Sequence, residues 1–134
     1  MAVKWNNVLV NKIRSAASDG VSDAVDSIYE ETLRLVQDTQ KSGRIYKKKN
    51  GRQHQASAPG ESYANDTGNA LLNTNKKHNK LSGEVVGDYE YALALELGTQ
   101  KMAPRPTLGR ALQNLVPSLT DIVSKPIKDV IAND

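Results

Sequence analysis

The chain contains no cysteine and no phenylalanine, and its aromatic residues are one tryptophan and five tyrosines. Without cysteine it has neither a disulfide framework nor a thiolate metal site, which suits a reducing cytoplasm. The apolar fraction is 38 %, below the roughly 45 to 50 % usual for soluble domains, so the core must be aliphatic and thin. A thin core favours stabilisation by neighbouring subunits over disorder of the polar stretches.

Long apolar runs are also missing. No run approaches the roughly 18 residues that span a bilayer, and the N-terminus lacks the apolar core of a signal peptide. We therefore expect no membrane partner, and synthesis and assembly in a cytoplasm. A chain of 134 residues fits one domain, residues 1–134, because a second independent core needs more surface to bury.

Charge is segregated along the sequence although the formal net charge is only +3. Residues 41–54 carry six cations and no acid. A later segment carries acids with no base between them: Glu84, Asp88, Glu90 and Glu96. Opposite patches on one chain favour head-to-tail packing of identical subunits. Two solvated faces are the other interpretation, and the commoner one in general.

Residues 1–42 are predicted to be helical. Apolar residues recur every three or four positions after Val21, and a second amphipathic stretch runs from Trp5 to Ala16. Gly20 lies between the two, so the region is either a helix pair or one long helix that tolerates the glycine at about 1 kcal/mol. Gly43 is the predicted C-terminal stop.

Residues 43–90 are predicted to form a small antiparallel sheet with long loops. Asn50-Gly51 is a strong hairpin signal, and the polar flanks over residues 44–58 indicate a basic β-hairpin whose tip projects. Asp66 can cap one or two helical turns. The polar residues 73–80 are predicted to be a mobile loop, followed by a strand that ends at Gly87-Asp88.

Residues 91–134 are predicted to hold a short helix and a C-terminal helix. The segment 89–97 alternates like a strand but is rich in helix formers; we favour a helix capped by Asp88 and ended by Gly98. An apolar stripe with helical spacing follows Pro106. Pro117 should kink that helix or force a restart at Ser118. The sequence thus predicts an α+β fold.

The sequence shows no chemistry-bearing constellation. His54 and His78 lie in polar segments, and the sequence places no second histidine or carboxylate at metal-ligand spacing from either. No phosphate loop, nucleophile elbow or catalytic triad pattern is present. We therefore predict no catalytic residue, no metal and no cofactor, and regard an enzyme as a residual possibility.

Glu96 is the one ionisable residue inside an apolar run. A buried carboxylate needs a cation or backbone amides, and Arg105 is the obvious candidate within the chain. A structural ion pair is far more common than catalysis by a lone glutamate.

The segment around Glu96 also carries a resemblance. It reads Tyr91-Ala92-Leu93-Ala94-Leu95-Glu96-Leu97-Gly98-Thr99, then Met102-Ala103-Pro104-Arg105-Pro106. This resembles the signature of the neck and tail-completion proteins, including minor tail components, of long-tailed bacteriophages. The resemblance covers roughly residues 40–116, and its strong part is residues 91–108. It implies that seven residues are framework positions that orient the C-terminal helix: Tyr91, Ala92, Glu96, Gly98, Thr99, Arg105 and Pro106.

What the resemblance implies about function is a structural virion protein at the head–tail junction. Its copies would form a ring, with a hexamer among the options, that joins the capsid connector to the tail and lets DNA pass. Partners would be itself, connector or head-completion proteins, and the tail tube or tail terminator, with no small-molecule substrate. The location would be the virion, and the host cytoplasm during assembly.

The hairpin suggests a rival function, a small basic nucleic-acid-binding module that uses residues 44–54. Five cations there can contact phosphates or a partner: Arg44, Lys47, Lys48, Lys49 and Arg52. Tyr46 is their only aromatic neighbour, so base stacking is poorly supported. The hairpin can equally line a DNA channel, meet an acidic patch on a neighbouring subunit, or be merely solvated.

Overall fold

The computed structural model describes residues 6–65 and 68–133 and has an α+β fold. The described ranges hold four helices and two separate two-stranded antiparallel sheets. In chain order the elements are α1 (Asn7–Gln37), β1 (Ile45–Lys47), β2 (Gln53–Gln55), α2 (Asn69–Leu72), β3 (Thr74–His78), β4 (Gly83–Gly87), α3 (Ala92–Leu97) and α4 (Leu108–Ala132).

α1 is one continuous helix, which decides between the two predicted alternatives. It begins where the Asn6 side chain accepts a hydrogen bond from the Val8 amide at 2.9 Å; Trp5 lies outside the described residues. Gly20 is buried, and a Cβ there would lie 2.2 Å from the Val123 carbonyl oxygen of α4. The glycine therefore permits close contact between two helix backbones and makes no turn.

α1 and α4 are the main packed layer, and they run antiparallel. Glu31 near the end of α1 accepts a hydrogen bond from Asn114 near the start of α4 at 3.0 Å, while Gly20 meets Val123 further along α4. Ala16, Gly20 and Ala24 recur every four residues along α1, so they share one face, and all three are buried. Small side chains at this interface let the helices approach closely.

α1 ends at Gln37, six residues before the predicted stop at Gly43. The Lys41 ammonium donates to the Leu35 carbonyl at 2.8 Å and so satisfies one free carbonyl of the last turn. Burial lowers the pKa of Lys41. Gly43 instead begins the hairpin, because its amide donates to the Ala56 carbonyl at 2.9 Å.

The predicted basic hairpin is confirmed as β1 and β2, with Ile45 opposite Gln55 and Lys47 opposite Gln53. The turn is closed by the Gly51 amide, which donates to the Lys48 carbonyl at 3.0 Å. Gly51 has φ +82° whereas Asn50 does not have positive φ. The turn thus uses a single left-handed residue, as in hairpins with a short type I turn.

The second sheet differs from the prediction. Residues 74–78, predicted as loop, form strand β3, which pairs with β4 from Thr74–Gly87 to His78–Gly83. β3 is exposed apart from Thr74, so no apolar alternation marked it. The predicted strand up to Gly87 is confirmed as β4. Asp66, the predicted cap, lies outside the described residues.

α3 confirms the choice of helix over strand for the signature segment, and Gly98 confirms its predicted end. The predicted cap Asp88 is wrong, because Tyr91 occupies the cap position without a side-chain bond. The Asp88 amide donates to the Asn73 carbonyl at 2.7 Å instead. That bond ties the end of β4 to the beginning of β3.

α4 is continuous through Pro117 and Pro126, which excludes the restart at Ser118, one of the two predicted alternatives; the other, a kink at Pro117, stays a prediction. Each proline removes one amide donor, but packing against α1 supports the helix across the gaps. No helix in the described ranges combines the length and hydropathy needed to cross a bilayer.

The core is thin, as the composition indicated, and it is aliphatic apart from Tyr63. Across residues 6–65 and 68–133, the buried apolar side chains are Ala16, Ala24, Val25, Leu35, Val36, Tyr63 and Ala111. The largest side chains buried completely are two threonines, Thr32 and Thr107. Thr32 lies in α1, and Thr107 directly precedes α4.

Candidate functional site

The N-terminus of α4 is held by Glu96 of α3. The Glu96 carboxylate accepts from the amides of Thr107 at 2.8 Å, Leu108 at 2.5 Å and Gly109 at 3.3 Å. These are amides that a helix start leaves without partners, and Thr107 itself makes no side-chain cap. A negative charge there also meets the positive end of the helix dipole. Glu96 is thus a capping residue supplied by another helix.

Arg105 does not pair with Glu96, contrary to the sequence-based expectation. Its guanidinium donates to the carbonyls of Ser57 at 3.2 Å and Ala103 at 2.9 Å. Its backbone amide donates to the Leu95 carbonyl at 2.6 Å. Arg105 therefore fastens the segment before α4 to α3 on one side and to the chain after β2 on the other.

Gly98 and Thr99 form the turn between α3 and that segment. Gly98 has φ +76°, and a Cβ there would lie 2.8 Å from the Met102 carbonyl oxygen. The Thr99 amide donates to the same oxygen at 2.8 Å. A residue other than glycine would be strained in this turn on both counts.

The remaining signature residues lie at the start of α3 and just before α4. Tyr91 stacks at a tilt on Tyr89, with 5.8 Å between ring centroids, and its hydroxyl accepts from the Asn69 side chain at 3.3 Å. Ala92 opens α3, and Pro106 directly precedes Thr107. The structure thus brings α3, its turn and the α4 start into one unit.

The hairpin cations lie apart from that unit. Arg44 lies over the Tyr46 ring at 5.2 Å from its centroid, and Lys47, Lys49 and Arg52 are exposed. Lys48 is half-buried. β1 and β2 pair with each other and make no extensive contact with another helix or strand of the described chain. Four of the five cations are therefore exposed, and Lys48 and Arg52 line a shallow cleft with Asn65.

Sequence reasoning missed the carboxylate at the hairpin base. Glu61 accepts from the amides of Ser42 at 3.0 Å and Ala58 at 2.8 Å, and from the Ser42 hydroxyl. These bonds lower the pKa of Glu61, the Ser42 hydroxyl contributing most. The signal available was an acid directly after the turn residues Pro59-Gly60.

Exposed leucines on α3 were also missed as a surface. Leu93 and Leu97 lie four residues apart, on one side of the helix, and each is 70 % exposed. Leu112 and Val116 repeat the spacing on α4 and are 45 % and 56 % exposed. We call these four residues the apolar surface. Because Glu96 ties α3 to the start of α4, both pairs belong to neighbouring elements.

In the described residues no three His, Asp or Glu side chains converge as a metal site. Comparisons with protein-family models, with curated proteins and with solved structures each found no match.

Proposed function

We propose that this protein is a structural virion component at the head–tail junction of a long-tailed phage, in a neck or tail-completion role. Its copies assemble into a ring that joins the capsid connector to the tail and leaves a passage for DNA. The proposal begins from the resemblance of residues 91–108 to that family. The framework geometry is compatible with it, because those residues orient α4 and none forms a reaction centre.

The apolar surface is the observation that carries the assembly part of the proposal. Among the described residues the largest fully buried side chains are threonines, whereas two leucines of the six-residue helix α3 are each 70 % exposed. Large exposed apolar patches mark contact surfaces, and the two exposed pairs lie on helices that Glu96 joins. At about 25 cal/mol for each Å² of apolar surface buried, the free energy gained by such a contact is comparable to the free energy of unfolding of a small domain.

Charge supports head-to-tail contact. The exposed cations of the hairpin project on one element, and the exposed acids Glu84, Asp88 and Glu90 lie on or beside β4. Glu96, the fourth acid of this segment, is not part of that exposed group, because its carboxylate caps α4. A basic arm on one copy can therefore meet an acidic edge on the next, and the charges would set orientation more than affinity.

A pair of matched variants tests the assembly surface. We expect sedimentation velocity or native mass spectrometry to detect assemblies larger than a monomer, alone or with the connector or tail partner. Leu97→Glu should abolish them, because it places a charge in the contact. Leu72→Glu is the control, since Leu72 is 80 % exposed on a different short helix, and it should leave assembly intact.

Two results would contradict the proposal. One is a strictly monomeric protein even with its connector and tail partners present. The other is mass spectrometry of purified particles of the encoding phage that finds no trace of this polypeptide.

The rival function, a nucleic-acid-binding module, is favoured by one observation, the exposure of Lys47, Lys49 and Arg52 on a hairpin that makes no extensive contact with another helix or strand of the described chain. It predicts duplex binding that weakens steeply with salt and is abolished in the variant Lys47→Gln/Lys49→Gln/Arg52→Gln. Under the virion proposal, duplex binding is not required for assembly, and this variant keeps its fold and still assembles through the apolar surface.

A further inference from the structure

A second basic region involves the β3–β4 hairpin, which packs along α1. Lys76 pairs with Asp26 at 2.8 Å, and Gly83 packs directly against Val25, which fixes the hairpin on the helix. Its turn overhangs the N-terminal half of α1 and leaves a cleft of about 420 Å³. The cleft is lined by Asn11, Arg14, Ser15, Ser18, Lys80 and Leu81.

The charge in this cleft is of one sign. Arg14 comes from the helix wall and Lys80 from the hairpin wall. Neither pairs with a carboxylate, within the part of the chain that the structure describes. The acids nearest in sequence, Asp19 and Glu84, do not line the cleft. Two uncompensated cations across a cleft attract an anion.

The two serines of the cleft differ from other hydroxyl residues of α1. The Ser27 hydroxyl donates to the Asp23 carbonyl at 2.9 Å and the Thr32 hydroxyl to the Ile28 carbonyl at 2.8 Å. Ser15 and Ser18 make no such bond to any described residue. A hydroxyl that does not bond its own helix is available to donate to a ligand.

We propose that this cleft binds a phosphate group of a polynucleotide backbone. A tetrahedral phosphate presents oxygens to both walls at once, the arginine fork can hold two of them, and the serine hydroxyls complete the donor set. The cleft is much larger than one phosphate, which leaves room for the attached sugars. This site is separate from the β1–β2 hairpin, and it stands whether or not the protein is a virion component.

Two pairs of variants test the site against matched controls. Arg14→Gln/Lys80→Gln removes both cations, and Lys101→Gln/Lys128→Gln removes the same charge at exposed positions elsewhere. Ser15→Ala/Ser18→Ala removes the hydroxyls, and Ser27→Ala removes a hydroxyl bonded to its own helix. Alanine is the best helix former, so the serine variants keep α1 folded, which circular dichroism verifies.

The measurements are fluorescence anisotropy with a short duplex at several salt concentrations, and amide NMR during titration with inorganic phosphate. We expect the cation variant to lower the slope of log affinity against log salt by about 0.9 for each phosphate that the protein no longer neutralises. The serine variant should weaken duplex binding severalfold, and both controls should bind as the parent. Inorganic phosphate should shift the amides of residues 11–18.

Several results would overturn the proposal. Equal weakening by the cation variant and its charge-matched control would show diffuse attraction only. Phosphate shifts in residues 11–18 with duplex binding unchanged in every cleft variant would show a site for free phosphate and not for a polynucleotide. If an acidic peptide shifts the amide resonances of residues 11–18 and inorganic phosphate does not, the cleft binds protein.

Discussion

At the scale of single residues, neighbouring side chains within one turn of α3 do different things: one bonds inside the protein and two are exposed to solvent. Glu96 turns to the amides of Thr107, Leu108 and Gly109, while Leu93 and Leu97 turn to solvent. The sequence identified Glu96 as a residue that needed a partner. Backbone amides were one of the two predicted kinds of partner, but the residue named was Arg105, because an arginine can be read from the sequence whereas free amides become evident only once a helix start lies beside the carboxylate.

Loss of the Glu96 cap should destabilise the fold. Glu96→Ala leaves three amides of α4 without an acceptor, and we expect the free energy of unfolding to fall by about 1 to 2 kcal/mol. Glu96→Gln keeps one acceptor oxygen and should lose less. Urea denaturation measures both, with Glu90→Ala as the control, because Glu90 is exposed. Equal midpoints for Glu96→Ala and Glu90→Ala would exclude a capping role.

At the scale of elements, the contact between α1 and α4 depends on the absence of a side chain at Gly20. The Val123 carbonyl occupies the space that a Cβ would need. A glycine inside a helix otherwise lowers its stability relative to alanine. Here the tertiary contact outweighs that preference.

Gly20→Ala should therefore destabilise the protein, although alanine is the better helix former. The methyl group forces the two backbones apart, and we expect a loss of about 2 kcal/mol in unfolding free energy. Gly109→Ala is the matched control in α4, where the new Cβ would meet Glu96 only at 3.5 Å, and it should be neutral or stabilising. Thermal denaturation distinguishes them, and a stabilised Gly20→Ala protein would disprove the close crossing.

Elements with a local signal were predictable from the sequence. The Asn50-Gly51 hairpin, the strand up to Gly87 and the helix ending at Gly98 each follow from a turn residue or an apolar period. β3 was missed because both its faces are polar, so no apolar alternation marks it. It is a strand because it pairs with β4. The single α1 could not be decided, because the partner of Gly20 lies about a hundred residues away in sequence.

At the scale of the whole molecule, a thin core makes a few buried aromatic residues important. Tyr89 packs edge-on against buried Tyr63 at 6.0 Å and contacts Tyr91 on its other side. Burial, with the nearby Tyr63 hydroxyl adding to it, raises the pKa of Tyr89 far above its ordinary value of 10.0. The neutral phenol is therefore favoured by the folded state.

This shift predicts a loss of stability in alkali. Because the folded pKa of Tyr89 is raised, its contribution is complete below pH 10 and is lost as the pH rises beyond that, where the unfolded chain ionises. Tyr89→Phe should show a smaller fall in unfolding free energy between neutral pH and pH 11. Tyr46→Phe, with its ring 48 % exposed on the hairpin, should follow the parent, and identical pH profiles for all three would contradict the assignment.

The bond from Glu96 to α4 also has a mechanical consequence. α3 carries exposed leucines and a carboxylate that caps α4 on one six-residue helix, so a force applied to the leucines reaches the start of a 25-residue helix through the hydrogen bonds of Glu96. Because α4 is also packed along α1 through the Gly20–Val123 contact, a partner that docks on the leucines meets a helix start that is already held in place.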